Sequence, residues 1–173
     1  MLNLLGQAGK KEKITITRFS EDVGKRDCHI IVIGGQDLIA LDFYKEMKGV
    51  YYRMDDKEIY HVDTGGIVHR DSNYYGYGPI IKATNPFARS KEKGVGILVG
   101  GFGVLGTQAA AYYLRTHAKQ LGARFGKSNF SIVVRAPVSI GYQGAQRIAE
   151  LDMPTLARWQ RVMAFLRKLV FRA

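Results

Sequence analysis

The chain has 173 residues, of which 46% are apolar and 24% charged, as in globular domains and unlike collagenous, low-complexity or disordered chains. Its single cysteine, Cys28, excludes an internal disulfide framework and a cysteine-rich zinc site. The formal net charge is +11, and residues 94–173 contribute +9, from 11 basic and two acidic residues. This basic half predicts an anionic partner, such as a nucleotide, a nucleic acid or an acidic membrane surface, with a merely solvated basic face as the alternative.

The first half of the chain predicts short strands and one helix. Residues 1–26 are expected to form an N-terminal segment with a half-exposed strand, because apolar and polar residues alternate over 14–19. The run HIIVIGG (29–35) predicts a buried, parallel strand closed by two glycines. Helical spacing of apolar residues predicts a helix within 37–48. No run reaches about 18 apolar residues, so no conventional transmembrane helix is predicted and a cytoplasmic location is the default expectation.

The middle of the chain predicts a hairpin followed by irregular backbone. Two β-rich runs, 50–54 and 58–62, flank a polar turn. Residues 64–78 are rich in glycine and tyrosine and are expected to be irregular, with a short strand at 79–84. The pairs His61/Asp63 and His69/Asp71 offer four metal-ligand types, but their spacing matches no familiar motif, so no metal site is predicted.

The second half repeats the pattern of a buried strand closed by paired glycines, in GVGILVGG (94–101). A helix is predicted over 104–121, with Gly122 as its C-terminal stop, and a strand over 130–136. Residues 137–144 are expected to be a loop, and a cationic amphipathic helix is predicted from Pro154 almost to the last residue.

This order of elements predicts an α/β fold. It would be a three-layer, Rossmann-like, mainly parallel sheet with a β-hairpin insertion and a C-terminal amphipathic helix. The Rossmann-like domain would span residues 27–150, and the C-terminal helix residues 151–173. That helix would dock on the sheet, pair with a second copy or lie on a membrane surface. A homo-oligomer is a further expectation.

The segment GFGVLG (101–106) is a literal G-x-G-x-x-G between a predicted strand and a predicted helix, the context that this phosphate-binding motif requires. In such a turn the first helical N–H groups face an anion. No acid follows about 20 residues later to hold a ribose diol, which argues against NAD. The ligand would lie between the two glycine-closed strand ends, with an aromatic loop and a basic residue beside it. The predicted site residues are Gly34, Gly35, Gly100, Gly101, Gly103, Gly106, Thr107, Tyr74, Tyr77 and Arg135.

Short motifs also carry a family resemblance. The motifs are Ile33-Gly34-Gly35, Tyr77-Gly78-Pro79-Ile80, Asn85-Pro86-Phe87, Val99-Gly100-Gly101, Gly106-Thr107 and Ala109-Ala110. In this order they resemble prokaryotic S-layer-like domains of the Rossmann type, which implies a ligand-binding or scaffold domain. Gly106-Thr107 at a helix start is also similar to nucleoside deoxyribosyltransferase-like domains. Here Gln108 and alanines follow instead of the catalytic glutamate of that family.

The leading functional hypothesis is therefore a non-catalytic sensor or regulatory domain that binds a nucleotide or another phosphorylated ligand. One alternative is an NADP-linked or nucleotide-processing enzyme, for which no compelling proton-transfer group is identified. The other is a nucleic-acid-binding or membrane-surface module that uses the basic half or the C-terminal helix.

Overall fold

The computed structural model describes residues 29–34, 40–41, 43–44, 52–55, 58–62, 64–70, 72–85, 87–88 and 94–152. The predicted N-terminal strand and the predicted helix from Pro154 lie outside these residues. Residues 151–152, which the predicted domain division assigned to the C-terminal helix, belong to a strand instead. Of the predicted helix within 37–48, the described residues 40–41 and 43–44 are helical.

The described chain forms eight strands, which belong to two sheets. The first four are β1 (Ile30–Ile33), β2 (Tyr52–Met54), β3 (Glu58–His61) and β4 (Ile67–Arg70). The other four are β5 (Tyr75–Thr84), β6 (Val95–Val99), β7 (Phe130–Pro137) and β8 (Gln146–Asp152).

A five-stranded mixed sheet forms the centre of the molecule, in the order β1-β6-β5-β7-β8. Only β1 and β6 pair in parallel, and the other three pairs are antiparallel. The predicted three-layer, mainly parallel Rossmann sheet is therefore wrong, because the longest strand, β5, runs antiparallel to both of its neighbours.

A separate three-stranded antiparallel sheet, in the order β2-β3-β4, contains the predicted hairpin. The backbone N–H of Tyr52 donates to the buried Ser131 Oγ at 3.0 Å, which ties this sheet to β7. The hairpin prediction is confirmed, whereas residues 64–78 are not irregular and supply β4 and the start of β5.

The one long helix of the described chain, α1 (Gly103–Phe125), covers one face of the large sheet. Its residues Ala109, Ala110 and Tyr113 are buried against Ile80 and Ile132. The helix passes the predicted stop at Gly122 and ends before Gly126, whose positive φ of 51° is favourable for glycine. The ammonium of Lys82 on β5 donates to the carbonyls of Gly126 and Ser128, just beyond the helix end.

The opposite face of the large sheet is covered by the small sheet and the helical residues near 40–44. The shared core holds large side chains that are fully buried. They include Phe43, Tyr44, Met54, Ile59, Ile81 and Leu98. The layers are therefore helix, sheet and small sheet, instead of the helix, sheet and helix of a Rossmann fold.

Two strands contradict the expectations from local sequence. Gly76, Gly78 and Pro79 lie inside β5, although glycine and proline weaken strands. The ladder to β6 ends at Pro79: Gly100 N–H donates to Pro79 O at 3.1 Å, and proline has no N–H for the return bond. The last strand, β8, begins inside a segment for which no strand was predicted.

Candidate functional site at the carboxyl ends of β1 and β6

The two glycine-closed strand ends lie side by side, as predicted. Gly34 N–H donates to Val99 O at 2.9 Å, so the end of β1 is bonded to the end of β6. Gly100 is buried at the end of β6. Gly35 lies outside the described residues. In sheets with parallel strands, such carboxyl ends are a common place for ligands.

The glycines of the 101–106 turn allow an unusually close contact between α1 and β5. A Cβ atom at Gly101 would overlap the carbonyl carbon of Gly106, and one at Gly106 would overlap Tyr77 O. A Cβ atom at Gly78 would overlap Gly100 O. Packing therefore explains why Gly78, Gly101 and Gly106 are glycine, and none of the three requires a ligand to explain it.

The first turn of α1 is exposed and uncapped, unlike the closely packed glycines. Gly103 is exposed and has a φ of 60°, and a Cβ atom there would meet nothing within 4 Å. The residue before the helix, Phe102, supplies no side-chain cap, and the first turn contains no acid. The first intrahelical bond joins Gly106 N–H to Phe102 O at 3.3 Å, so the preceding N–H groups have no intrahelical acceptor. The Thr107 hydroxyl donates to Gly103 O at 3.2 Å and is therefore used within the helix.

A cluster of one cation and three aromatic rings lies near the same end of the large sheet, on the face opposite α1. We call it the Arg135 cluster, and it consists of His69 on β4, Tyr75 and Tyr77 on β5, and Arg135 on β7. The Arg135 guanidinium carbon is 5.1 Å from the centre of the Tyr75 ring. The His69 ring stacks on Tyr77 with centroids 4.7 Å apart and planes 15° apart. Arg135 and Tyr77 are register partners.

The same backbone connects this cluster to the glycine turn. Tyr77 O accepts a hydrogen bond from Phe102 N–H at 2.8 Å. Phe102 is the residue immediately before α1, so this hydrogen bond joins the start of the helix to the Arg135 cluster. Tyr74, one residue before β5, is 78% exposed, whereas Tyr77 is buried. The structure thus brings the described predicted site residues to one end of the sheet.

The Arg135 cluster carries the positive charge of its guanidinium group. Arg135 is half-buried, and no carboxylate in the described part of the chain pairs with it. Glu150 is paired with Arg124 and Arg147. Burial, and secondly the charge of Arg135, hold the pKa of His69 below its ordinary value of 6.5. The lowered pKa favours the neutral imidazole of His69, in which one ring nitrogen can donate and the other can accept a hydrogen bond.

Sequence reasoning identified Tyr77 and Arg135 but not His69, which it considered only as a metal ligand or a proton-transfer group. The signal that was missing is the contact between β4 and β5, which stacks the His69 ring on Tyr77. Among the described residues no group of three or more His, Cys, Asp or Glu side chains is arranged to hold a metal ion. Asp63 and Asp71 lie outside the described residues.

Comparisons with protein-family models, curated proteins and solved structures find no match to this chain. The resemblance to Rossmann-type S-layer-like domains implied a fold that the chain does not have. In the described part of the chain, no helix combines the length and the hydropathy needed to cross a bilayer.

Proposed function

We propose that this chain binds an anionic small molecule, with a nucleotide as the leading candidate, at the end of the sheet where β1 and β6 terminate. The observation that carries the proposal is the half-buried Arg135 guanidinium, which has no carboxylate partner in the described chain. A charge removed from water without a counterion costs free energy. A bound phosphate or carboxylate would remove that cost.

The chemistry around Arg135 favours phosphate as the anionic group. A guanidinium presents a planar fork of donors that matches phosphate oxygens, and neutral His69 can donate one further hydrogen bond. The uncapped first turn of α1 adjoins the same edge through Phe102 and Tyr77. Its N–H groups and the helix dipole favour a second negative group.

The rings favour a ligand that also carries an aromatic base. Tyr74 is exposed on the turn before β5, and a base would stack on such a ring. A nucleotide combines this flat surface with phosphate charge. The NADP-linked enzyme alternative relied in part on a Rossmann arrangement, which the mixed sheet does not provide.

The proposal is tested by calorimetric titration of the purified chain with a panel of mononucleotides, cyclic nucleotides and inorganic pyrophosphate. We expect Arg135→Gln to weaken binding at least about tenfold, because a charge-assisted bidentate contact contributes roughly 1.5–3 kcal/mol. Lys119→Gln is the matched control, since it removes one exposed positive charge elsewhere on α1.

Equal losses in the two variants would show that only overall positive charge attracts the ligand. That result would favour the alternative of non-specific nucleic-acid binding. Unchanged binding in Arg135→Gln would reject the proposed contact outright. Gly103→Asp adds a separate test, because a carboxylate at the start of α1 would repel an anion held there.

A further inference from the structure

Five large apolar side chains project into solvent at one end of the described structure. We call this surface the apolar tip. Tyr74, Val104 and Ile140 are 78%, 74% and 64% exposed, so most of each side chain faces solvent. A contiguous exposed apolar surface usually marks an interaction site, whereas single exposed apolar residues do not. The members of the tip are Tyr74, Val104, Val138, Ile140 and Tyr142.

These residues come from three segments that contact one another. Val138 N–H donates to Tyr74 O at 2.9 Å, which joins the 137–145 loop to the turn before β5. The Tyr142 ring packs against Tyr112 of α1, with centroids 5.5 Å apart. Val104 lies in the first turn of α1, next to Leu105. A Cβ atom at Gly76 of β5 would lie only 2.6 Å from the Cγ atom of Leu105.

The part of the chain that supplies most of the apolar tip carries only basic charges. No Asp or Glu occurs between residues 94 and 149, the span that supplies four of the five tip residues. The next acid, Glu150, is paired with Arg124 and Arg147. The exposed Arg115 lies over the Tyr112 ring, at 5.9 Å from its centre, and Tyr112 in turn contacts Tyr142. A partner for this surface must accept apolar side chains and bring negative charge.

We infer that the apolar tip inserts into the interfacial region of an anionic lipid bilayer. Separate projecting side chains enter a fluid interface without needing a complementary groove, and tyrosine with arginine suits the headgroup level. Aliphatic burial and attraction of cations to anionic lipid both strengthen such binding. This surface does not include Arg135, although it shares Tyr74 and the first turn of α1 with the proposed anion site. The inference does not depend on a soluble ligand.

The test is flotation of the full chain with phosphatidylcholine vesicles, with and without phosphatidylglycerol. We expect binding to the anionic vesicles, and a fall of about tenfold or more in the partition coefficient for the double variant V104S/I140S. The matched control is Ile67→Ser on β4, which removes an apolar side chain that is 47% exposed but lies away from the tip. The control should bind within about twofold of the unmodified chain.

A local probe separates the apolar tip from the C-terminal segment, which the sequence also predicts to be amphipathic. Ile140→Trp in a Trp159→Phe background places the only tryptophan in the tip. We expect its emission to shift to the blue and to be quenched by brominated lipids. The absence of quenching, or equal vesicle binding by V104S/I140S and the unmodified chain, would overturn the inference. The inference would also be overturned if the unmodified chain were a dimer and V104S/I140S were a monomer with unchanged vesicle binding. The apolar tip would then contact a second copy of the chain.

Discussion

At the scale of single residues, Arg135 is a half-buried cation that pairs with no carboxylate in the described part of the chain. Its guanidinium lies over the Tyr75 ring, and its charge raises the cost of protonating His69. A residue that served stability would be expected to have a carboxylate partner, as Arg70 has in Glu58. This lack of a carboxylate partner among the described residues is the reason for the proposal that Arg135 binds an anion.

Arg135→Met tests whether the guanidinium serves stability. Methionine keeps a contact with the Tyr75 ring while the unpaired charge is removed. We expect the free energy of unfolding to stay the same or to rise by about 1 kcal/mol, because unpaired half-buried charge is unfavourable. Urea denaturation measures this change. A loss of more than about 2 kcal/mol would assign Arg135 a structural role and weaken the proposed function.

His69 makes stability depend on pH. Its pKa is lower in the folded chain than in the unfolded chain, where it is near 6.5, chiefly because of burial. Below about pH 6.5 the unfolded chain therefore binds more protons, and stability falls as the pH decreases. We expect His69→Gln to remove this part of the decrease in melting temperature between about pH 7.5 and 5.5. An NMR titration that found the His69 pKa at or above 6.5 would contradict the explanation.

At the scale of elements, the contact between α1 and β5 is the feature that organises the candidate site. Gly78 on β5 and Gly106 on α1 let the helix backbone approach the strand until a Cβ atom on either residue would not fit between them. This approach sets where the first turn of α1 lies relative to Tyr77. The G-x-G-x-x-G pattern therefore has a structural reason here, whether or not phosphate binds.

Two glycines of the same helix give a direct test of this contact. Gly106→Ala would make Cβ overlap Tyr77 O, so the helix must move away from the strand. We expect a loss of about 3 kcal/mol or more of unfolding free energy. Gly122→Ala meets nothing within 4 Å and should stabilise the helix by about 0.5–1 kcal/mol. Similar effects of the two substitutions on urea denaturation would contradict the described packing.

At the scale of the whole molecule, the net charge of +11 sets the background against which any specific anion binding must be measured. A chain of this charge attracts polyanions without a dedicated site. Specific binding and this general attraction differ in how they depend on salt.

We expect affinity for a short oligonucleotide to fall at least about tenfold between low and physiological salt, because several counterions are released together. Binding of a mononucleotide through Arg135 should fall much less, because few phosphate contacts are involved. Fluorescence anisotropy at several salt concentrations measures both slopes. Equal slopes for the two ligands would argue against a dedicated site.

Local sequence was sufficient to place β1, β6, α1, β7 and the hairpin, because each has a clear apolar pattern and nearby turn or helix-end signals. It also placed Gly34 and Gly100 at one edge of the sheet. Tertiary structure alone decided that β5, despite Gly76, Gly78 and Pro79, is the central antiparallel strand. The cost of those residues within a strand is offset by pairing on both sides and by the close packing of α1. Strand order and the neighbours of Arg135 depend on contacts between residues far apart in the chain, and local periodicity carries no information about such contacts.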